Sequence, residues 1–432
     1  MTADSPRKTS APPDEEIVRL GRYTLRYRIA QGGMASVYLA RLSSAAGFEK
    51  WVAVKTIHPH IASNPKFVRM FLDEARLAAQ LDHPNLCSVF DFGEADGTYY
   101  LAMEYLHGET LGAVARKAYS ERGSMPRDLS ARVVADAARG LHAAHELRAE
   151  DGRPAGVVHR DVSPENIFVT YRGVAKVVDF GVARSNQQAA DRTATGELKG
   201  KLAYMSPEQM QDHPIDRRTD VWALGVVLWE ITVGRRLFRR HTDGATVLAV
   251  IRDTIPRPTK LKPDYPKALE AIVMRALERD PARRYQSAHD LARALESYLA
   301  STGVPMSTDE IGDYMHGLFG EQIEFREQYL RRSQREEPVE ELVSLWHTGS
   351  VPQSETPGPI GSDVPPRPSH VAEVSESTSA ADDEDPDAVA TWDRNLEVHP
   401  PPVHAALPES DDEVSGPAPT MPAPSTPAPP RL

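Results

Sequence analysis

Apolar positions in the first quarter of the chain come in short runs rich in β-branched and aromatic residues, over 23–29, 36–41, 51–57, 88–92 and 99–104. Runs of that length and composition predict strands of an antiparallel sheet. Between them, residues 64–81 change period, with Phe67, Phe71, Ala75 and Ala78 on one face of a single helix. From Leu111 the helical period dominates, predicting helices over 129–147, 216–233, 246–252, 267–278 and 287–299. A small sheet lobe with one helix, followed by a larger mainly helical lobe, is a two-lobed α+β arrangement with a cleft between lobes, a common ligand site. Residues 308–336 add an amphipathic helix with Ile311, Met315, Leu318, Phe319 and Ile323 at helical spacing. An extra helix packed on the large lobe is the simpler reading, and a partner-docking helix the other.

Composition changes this picture mainly at the C-terminus. Of the 36 prolines, 18 lie from Pro352 onward, beside acidic runs at 382–385 and 411–413. From Val351 there are 15 acidic and 3 basic residues, so this tail carries −12, while residues 1–350 balance at 47 of each. Such a segment cannot bury enough apolar surface to offset its ordering entropy and is predicted to be disordered. Pro365-Pro366-Arg367-Pro368 reads as linker, with an SH3-like ligand as the sharper alternative. The balanced remainder has no basic stripe of the kind that binds nucleic acid.

The longest apolar run, residues 221–229, lies between Asp220 and Glu230 and is too short to span a bilayer, so it reads as a buried helix. Cys87 is the single cysteine, which excludes an intrachain disulfide framework and fits a reducing compartment. Residues 1–16 are polar and lack the apolar core of a signal peptide. The expected organisation is a disordered leader (1–20), a two-lobed domain (21–300, with lobes 21–106 and 107–300), a helical extension (301–345) and a disordered Pro-rich acidic tail (346–432). The expected location is cytoplasmic, without a membrane span.

Chemistry concentrates in His159-Arg160-Asp161-Val162-Ser163-Pro164-Glu165-Asn166 and, thirteen residues after Asn166, in Asp179-Phe180-Gly181. Two aspartates and an asparagine form an oxygen-rich cluster suited to a base and to Mg²⁺. Phosphoryl transfer from ATP needs such groups, because its catalysis is mostly positioning and charge neutralisation.

These runs resemble the catalytic and metal-binding loops of protein kinases. Residues 23–299 as a whole resemble the bacterial branch of the eukaryotic-like Ser/Thr protein kinases, which implies a two-lobed protein-kinase-like fold. In that family Asp161 would orient the substrate hydroxyl or accept its proton, and Asn166 and Asp179 would hold Mg²⁺. The segment from Ile29 to Tyr38 is similar to the glycine-rich phosphate loop: Gly32 is kept, Gly33 is added, and Ala30 and Ala35 replace the first and third glycines around Gln31. Alanine still lets the loop lie close but reduces its conformational freedom. Val52-Ala53-Val54-Lys55 resembles the strand whose lysine holds the α- and β-phosphates. Its ion-pair partner is expected to be Glu74 rather than the adjacent Asp73, because Phe71, Glu74, Ala75 and Ala78 share the inward helix face. Residues 101–108 resemble the interlobe hinge, with Met103 as gatekeeper and backbone groups of Glu104 and Leu106 for the adenine edge. Val37, Ala53 and Phe168 would sandwich the ring.

Further roles follow from the same resemblance. Arg160 before the catalytic Asp marks kinases whose activation segment, here 179–208, is ordered by phosphorylation. Thr193 and Thr195 are the candidate phosphosites, Thr195 preferred over Thr193, and solvated loop threonines are the bland alternative. Asp220 would brace the catalytic loop. Arg284 would pair with Glu208, a feature that separates protein kinases from small-molecule phosphotransferases sharing the nucleotide site.

One departure stands out. Ser163 occupies the position of the family's catalytic-loop lysine, and Lys201, in Gly200-Lys201-Leu202-Ala203-Tyr204, that of a threonine beyond the activation segment. The two side-chain types look exchanged. Lys201 is expected to deliver its ammonium to the γ-phosphate from the opposite wall, with Ser163 supplying the missing hydroxyl; a solvent-facing Lys201 beside a weakened site is the other reading. The resemblance implies a Ser/Thr protein kinase using ATP and Mg²⁺ on a protein substrate that the sequence does not identify, activated by (auto)phosphorylation through transient self-association. The alternative is a pseudokinase scaffold that binds ATP without transferring phosphate, favoured by Ala30, Ala35 and Ser163.

Overall fold

A computed structural model of the chain describes residues 19–43, 49–149, 151–179, 201–303 and 306–334. Six strands form one antiparallel sheet in the order β1-β2-β3-β4-β6-β5. They are β1 Arg19–Leu20, β2 Tyr23–Gln31, β3 Ala35–Ser43, β4 Glu49–Ile57, β5 Val89–Ala95 and β6 Thr98–Glu104. The five expected strands are present, and β1 is additional. The leader expected to stay unstructured through residue 20 therefore ends in a strand, because Leu20 buries against Tyr23, Ala40 and Tyr100; residues 1–18 lie outside the described residues. Register shifts between Leu25/Tyr27 and Arg28/Ala30 on β2 mark bulges, which bend and twist a sheet.

Side-chain alternation on β4 explains the lobe. Val52 and Val54 point into one apolar cluster with Tyr23, Ala40 and Ala102, whereas Ile57 joins Phe71, Ala75 and Leu101 on the other face. Lys55 shares the Ile57 face, so it looks toward the helix that packs there. That helix, α2 (Pro65–Ala78), follows the short α1 (Pro59–Ala62). Pro65 opens α2, and its N-cap Asn64 accepts a hydrogen bond from the Lys66 amide at 3.0 Å.

The large lobe is built on α3 (Leu111–Arg122), α4 (Arg127–His145), α5 (Pro207–Met210), α6 (Arg218–Val233), α7 (Asp243–Arg252), α8 (Pro258–Leu261), α9 (Lys267–Ala276) and α10 (Ala288–Thr302). Apart from Arg218, every residue of α6 is buried, including Trp222 and Trp229, which explains a helix apolar on all sides. A second antiparallel sheet lies under the cleft: β7 (Gly108–Thr110), β8 (Ile167–Thr170) and β9 (Ala175–Val177). Its hairpin carries the chain from Asn166 through Phe168 back to Asp179.

Helix α11 (Thr308–Gln334) packs on the large lobe as the simpler expectation has it, and then reaches further. Its first part buries Ile311, Met315 and Leu318 in the large-lobe core, but Tyr329 packs on the small lobe against Tyr27 and Leu39. The helix is long enough to pass both lobes. At Phe319 its backbone leaves helical geometry (φ −123°), beside Gly320, and the axis kinks there. No helix among the described residues is long and apolar enough to cross a membrane.

Candidate active site

The loop joining α4 to β8 is held from below. Asp220, at the start of α6, accepts hydrogen bonds from the backbone amides of His159 and Arg160, both at 2.8 Å, and contacts His145 Nε2 at 2.8 Å. Burial alone would push the Asp220 carboxyl up, yet the His145 contact and the His159 amide hold it below its ordinary value. Arg160 has φ +65°, unusual for a residue with a Cβ, and the two amide bonds keep it there. His159 Nδ1 accepts from the Asp161 amide at 3.3 Å, leaving Nε2 to donate to the Val178 carbonyl at 3.0 Å. The His159 side chain thus ties the catalytic loop to the strand that delivers Asp179.

Above this floor, Asn166 donates its side-chain amide to the Asp161 carbonyl at 2.7 Å and to Asp161 Oδ2 at 3.1 Å. Lys201 Nζ donates to the same Oδ2 at 2.9 Å. Lys201 does not point into solvent. Ser163 is 3 % exposed, and its hydroxyl has no hydrogen-bond partner among the described residues. The expected hydroxyl contact is therefore not made: the Asp161 carboxylate takes the ammonium, as the stronger acceptor.

Across the cleft Lys55 contacts Glu74 Oε1 at 3.3 Å and Asp179 Oδ1 at 2.9 Å. Asp73 instead pairs with Arg76 on the outer face of α2. Burial pushes the Lys55 ammonium down, but the carboxylates of Asp179 and Glu74 more than reverse this and raise it above the ordinary lysine value. For Asp179, burial is outweighed by Lys55 and then Lys201, which hold the carboxyl below its usual range. One basic residue from each wall therefore acts on Asp179.

Between the lobes lies a cleft of about 380 Å³ whose walls include Ala30, Val37, Ala53, Met103, Glu104, Leu106, Phe168, Asn166 and Asp179. Lys55 and Asp161 are not on its surface but are bonded to residues that are. Gln31, Gly32 and Gly33 do not line it either; they occupy the end of the β2–β3 hairpin, where the Gly32 amide bonds to Ala35 O at 2.8 Å. The Glu104 carboxylate is fixed by Lys176 at 2.6 Å and the Ser88 amide at 3.0 Å. Its backbone carbonyl meets the Cys87 thiol at 3.9 Å. No backbone partner for the Leu106 amide lies among the described residues. The cleft thus presents a carbonyl and an amide two residues apart, the edge pattern a heteroaromatic base requires.

Among the described residues no group of three or more His, Cys, Asp or Glu forms a metal cage. Mg²⁺ carried by a phosphate needs no such cage, since one or two protein oxygens and the phosphates suffice. Asn166, whose side-chain carbonyl is not used by Asp161, and the ionised Asp179 fit that requirement.

Beside the loop, Arg284 is fully buried and makes a two-pronged pair with Glu208, at 2.6 and 2.7 Å. Thr219 adds a hydrogen bond to Glu208 at 2.9 Å. Gln209 closes a capping box with Ser206 and donates to the Arg160 carbonyl at 3.1 Å, joining this platform to the catalytic loop. Phe180, Gly181, Thr193 and Thr195 lie outside the described residues. The Arg160 guanidinium makes no ion pair among the described residues. Sequence reasoning missed His145, Gln209, Lys176 and Arg326. Only Lys176, three residues before Asp179, carried a positional hint.

Residues 23–295 match the model of the protein kinase domain. The chain is 44% identical over 323 residues to the tyrosine-protein kinase MasK of Myxococcus xanthus, covering 74% of this chain and 50% of that one. It is 37% identical over 273 residues to the serine/threonine-protein kinase PksC of Streptomyces coelicolor, covering 62% and 47%. The chain thus spans about half the length of these curated relatives. Among solved structures, the kinase domain of Mycobacterium tuberculosis PknI is similar with a TM-score of 0.50 and 27% identity, covering 67% of this chain and 98% of that one.

Proposed function

The chain belongs to the protein kinase family, and from that premise we propose that it transfers the γ-phosphoryl group of ATP to Ser/Thr hydroxyls of proteins. The observation that carries this reading is the convergence of Lys55, Glu74 and Asp179 from one side with Asp161, Asn166 and Lys201 from the other on one interlobe cleft. Lys55 is assigned to the α- and β-phosphates. Asp161, aimed by Asn166 and Lys201, orients the substrate hydroxyl and takes its proton as the oxygen attacks phosphorus and the bond to the ADP oxygen breaks. Mg²⁺, held by Asn166 and Asp179, would supply charge neutralisation on the phosphates.

Lys201 is assigned the role of the missing catalytic-loop lysine. Its support is the 2.9 Å contact with the base and its field on Asp179. Ser163 and Arg160 complete the assignment, Ser163 as a hydroxyl beside the transferring group and Arg160 as the reader of a phosphate on Thr195 or Thr193. The proposed catalytic domain spans 21–300, followed by the helical extension 301–345 and the acidic tail; ATP use and the reduced cysteine favour a cytoplasmic setting.

A second reading concerns the acceptor. The MasK relative bears a tyrosine-kinase name, which favours phenolic hydroxyls. One experiment addresses both readings: incubation with Mg²⁺ and labelled ATP, beside Asp161→Asn, followed by phosphoamino-acid analysis. Phosphoserine or phosphothreonine lost by at least about 10³-fold in the variant supports the first reading. Phosphotyrosine supports the second, and label equal in both proteins would leave only a scaffold.

A further inference from the structure

Helix α11 lies beyond residues 23–295, yet it reaches the cleft. Its N-terminal end is fixed to the large lobe, where Gly173, at φ +81° in the β8–β9 turn, lies so close that a Cβ would sit 1.9 Å from the Thr308 carbonyl oxygen. Past the Phe319 kink, Arg326 donates to the Gly108 carbonyl at 2.9 Å and to the Tyr171 hydroxyl at 2.8 Å, and pairs with Glu109 at 2.8 Å. Gly108 ends the hinge segment and Glu109 follows it, and with Arg326 they form part of the cleft wall. Three residues on, and so on the same helix face, Tyr329 is buried on the small-lobe sheet. Its ring lies 5.9 Å from that of Tyr27, at 60°.

One helix is thus anchored to the large lobe, the hinge and the small lobe. Interlobe motion concentrates in the few hinge residues that absorb a backbone change. A guanidinium that holds the Gly108 carbonyl and the Glu109 carboxylate together restricts that change, and Tyr329 transmits the restriction to the strands above the nucleotide. We propose that Arg326 and Tyr329 are positioning residues of the nucleotide site, which fix the lobes at the separation that grips ATP. They touch no reacting atom, so their loss weakens nucleotide binding and spares the chemical step.

This inference rests on the nucleotide reading of the cleft. The test uses the full chain as Arg326→Gln, Tyr329→Ala and, as a control exposed on the same helix, Gln328→Ala. Calorimetric titration with Mg²⁺ and ADP is combined with the KM for ATP and kcat. The expected result is a Kd and a KM each raised about tenfold in the first two variants, the size of a lost charged contact or buried ring, with kcat within about twofold and the control unchanged. Titrating well below each variant's melting midpoint separates weak grip from unfolding, and if one variant does not fold the other carries the test. Unchanged Kd, or a loss in kcat alone, overturns the role of the helix. A wild type that binds no ADP overturns the nucleotide reading itself, a separate outcome.

Discussion

The carboxylate contacts beneath the catalytic loop and the ion pairs facing the cleft both join acidic side chains to nitrogen donors, to different ends. Below, Arg284 and Glu208 are 0 % and 8 % exposed at their side chains, and His145 and Asp220 are both fully buried. Above, each pair has one partly exposed partner: Lys201 is 34 % and Asp161 9 % exposed at the side chain, Lys55 15 % and Asp179 42 %. A buried pair with additional hydrogen bonds is costly to break and has no competing partner, so it fixes geometry. A pair with one partner open to the cleft can exchange a carboxylate for a phosphate more readily than a fully buried one. The difference teaches which charges belong to the platform and which are held ready for a ligand.

The largest effect that could break this comparison concerns the platform. Arg284→Met leaves Glu208 buried without its cation and is expected to cost about 3–5 kcal/mol in unfolding free energy by urea titration. A cost under about 1 kcal/mol, the size of a surface pair, would erase the distinction. Acidity offers a second check. Burial pushes the Glu208 carboxyl up, but Arg284 and Thr219 hold it below the ordinary glutamate value of 4.5. A depressed carboxyl contributes stability that is present above its unfolded pKa and lost as pH falls through the folded one. The stability gap between wild type and Glu208→Gln should hold steady from neutral pH and close only below 4.5.

For the cleft the expectation reverses. Lys201→Ala should cost less than about 1 kcal/mol of stability, because its pair is partly solvated. It should lower kcat by about 10²-fold while leaving ATP affinity nearly intact, as for a group that acts on the transferring charge. Unchanged kcat would make Lys201 a bystander. Combining Ser163→Lys with Lys201→Thr sharpens the test, since activity lost in each single variant and regained together shows that the ammonium matters and its wall of origin does not.

Much of the platform and cleft was legible in the sequence because short motifs in a fixed order resemble those of a known family, and helical period chose between neighbouring candidates. The resemblance of residues 52–55 to the family's lysine strand placed Lys55, and the apolar face of α2 selected Glu74 over its neighbour. The order of Asp161, Asn166 and Asp179 implied their convergence. What was not legible depends on distances between segments far apart in the chain. Nothing local marks His145 as the partner of Asp220, 75 residues away, or Gln209 as a brace for Arg160. Helix α11 shows the same limit: periodicity identified its apolar face but not that the face would meet two lobes, which depends on helix length and the kink at Phe319. The Ser163 hydroxyl is a further case: the proposed exchange with Lys201 gives it a role beside the ammonium, yet it has no hydrogen-bond partner among the described residues.

The smallest expected effect tests the boundary of the cleft set. Asp73 and Glu74 are adjacent carboxylates about 100° apart around α2. Glu74 is 13 % exposed and faces Lys55, whereas Asp73, half exposed, pairs with Arg76 three residues along the same helix. Asp73→Asn should therefore change stability by less than about 0.5 kcal/mol and leave the KM for ATP unaltered, the little it does cost vanishing in high salt. Glu74→Gln removes a carboxylate from a lysine that also holds Asp179, so the KM for ATP should rise by about tenfold. The comparison turns on solvation, not on the number of charges. An equal rise in KM from the two substitutions would mean that an exposed pair grips the nucleotide site as firmly as a half-buried one, and burial would no longer separate the charges that serve the ligand from those that merely decorate the helix.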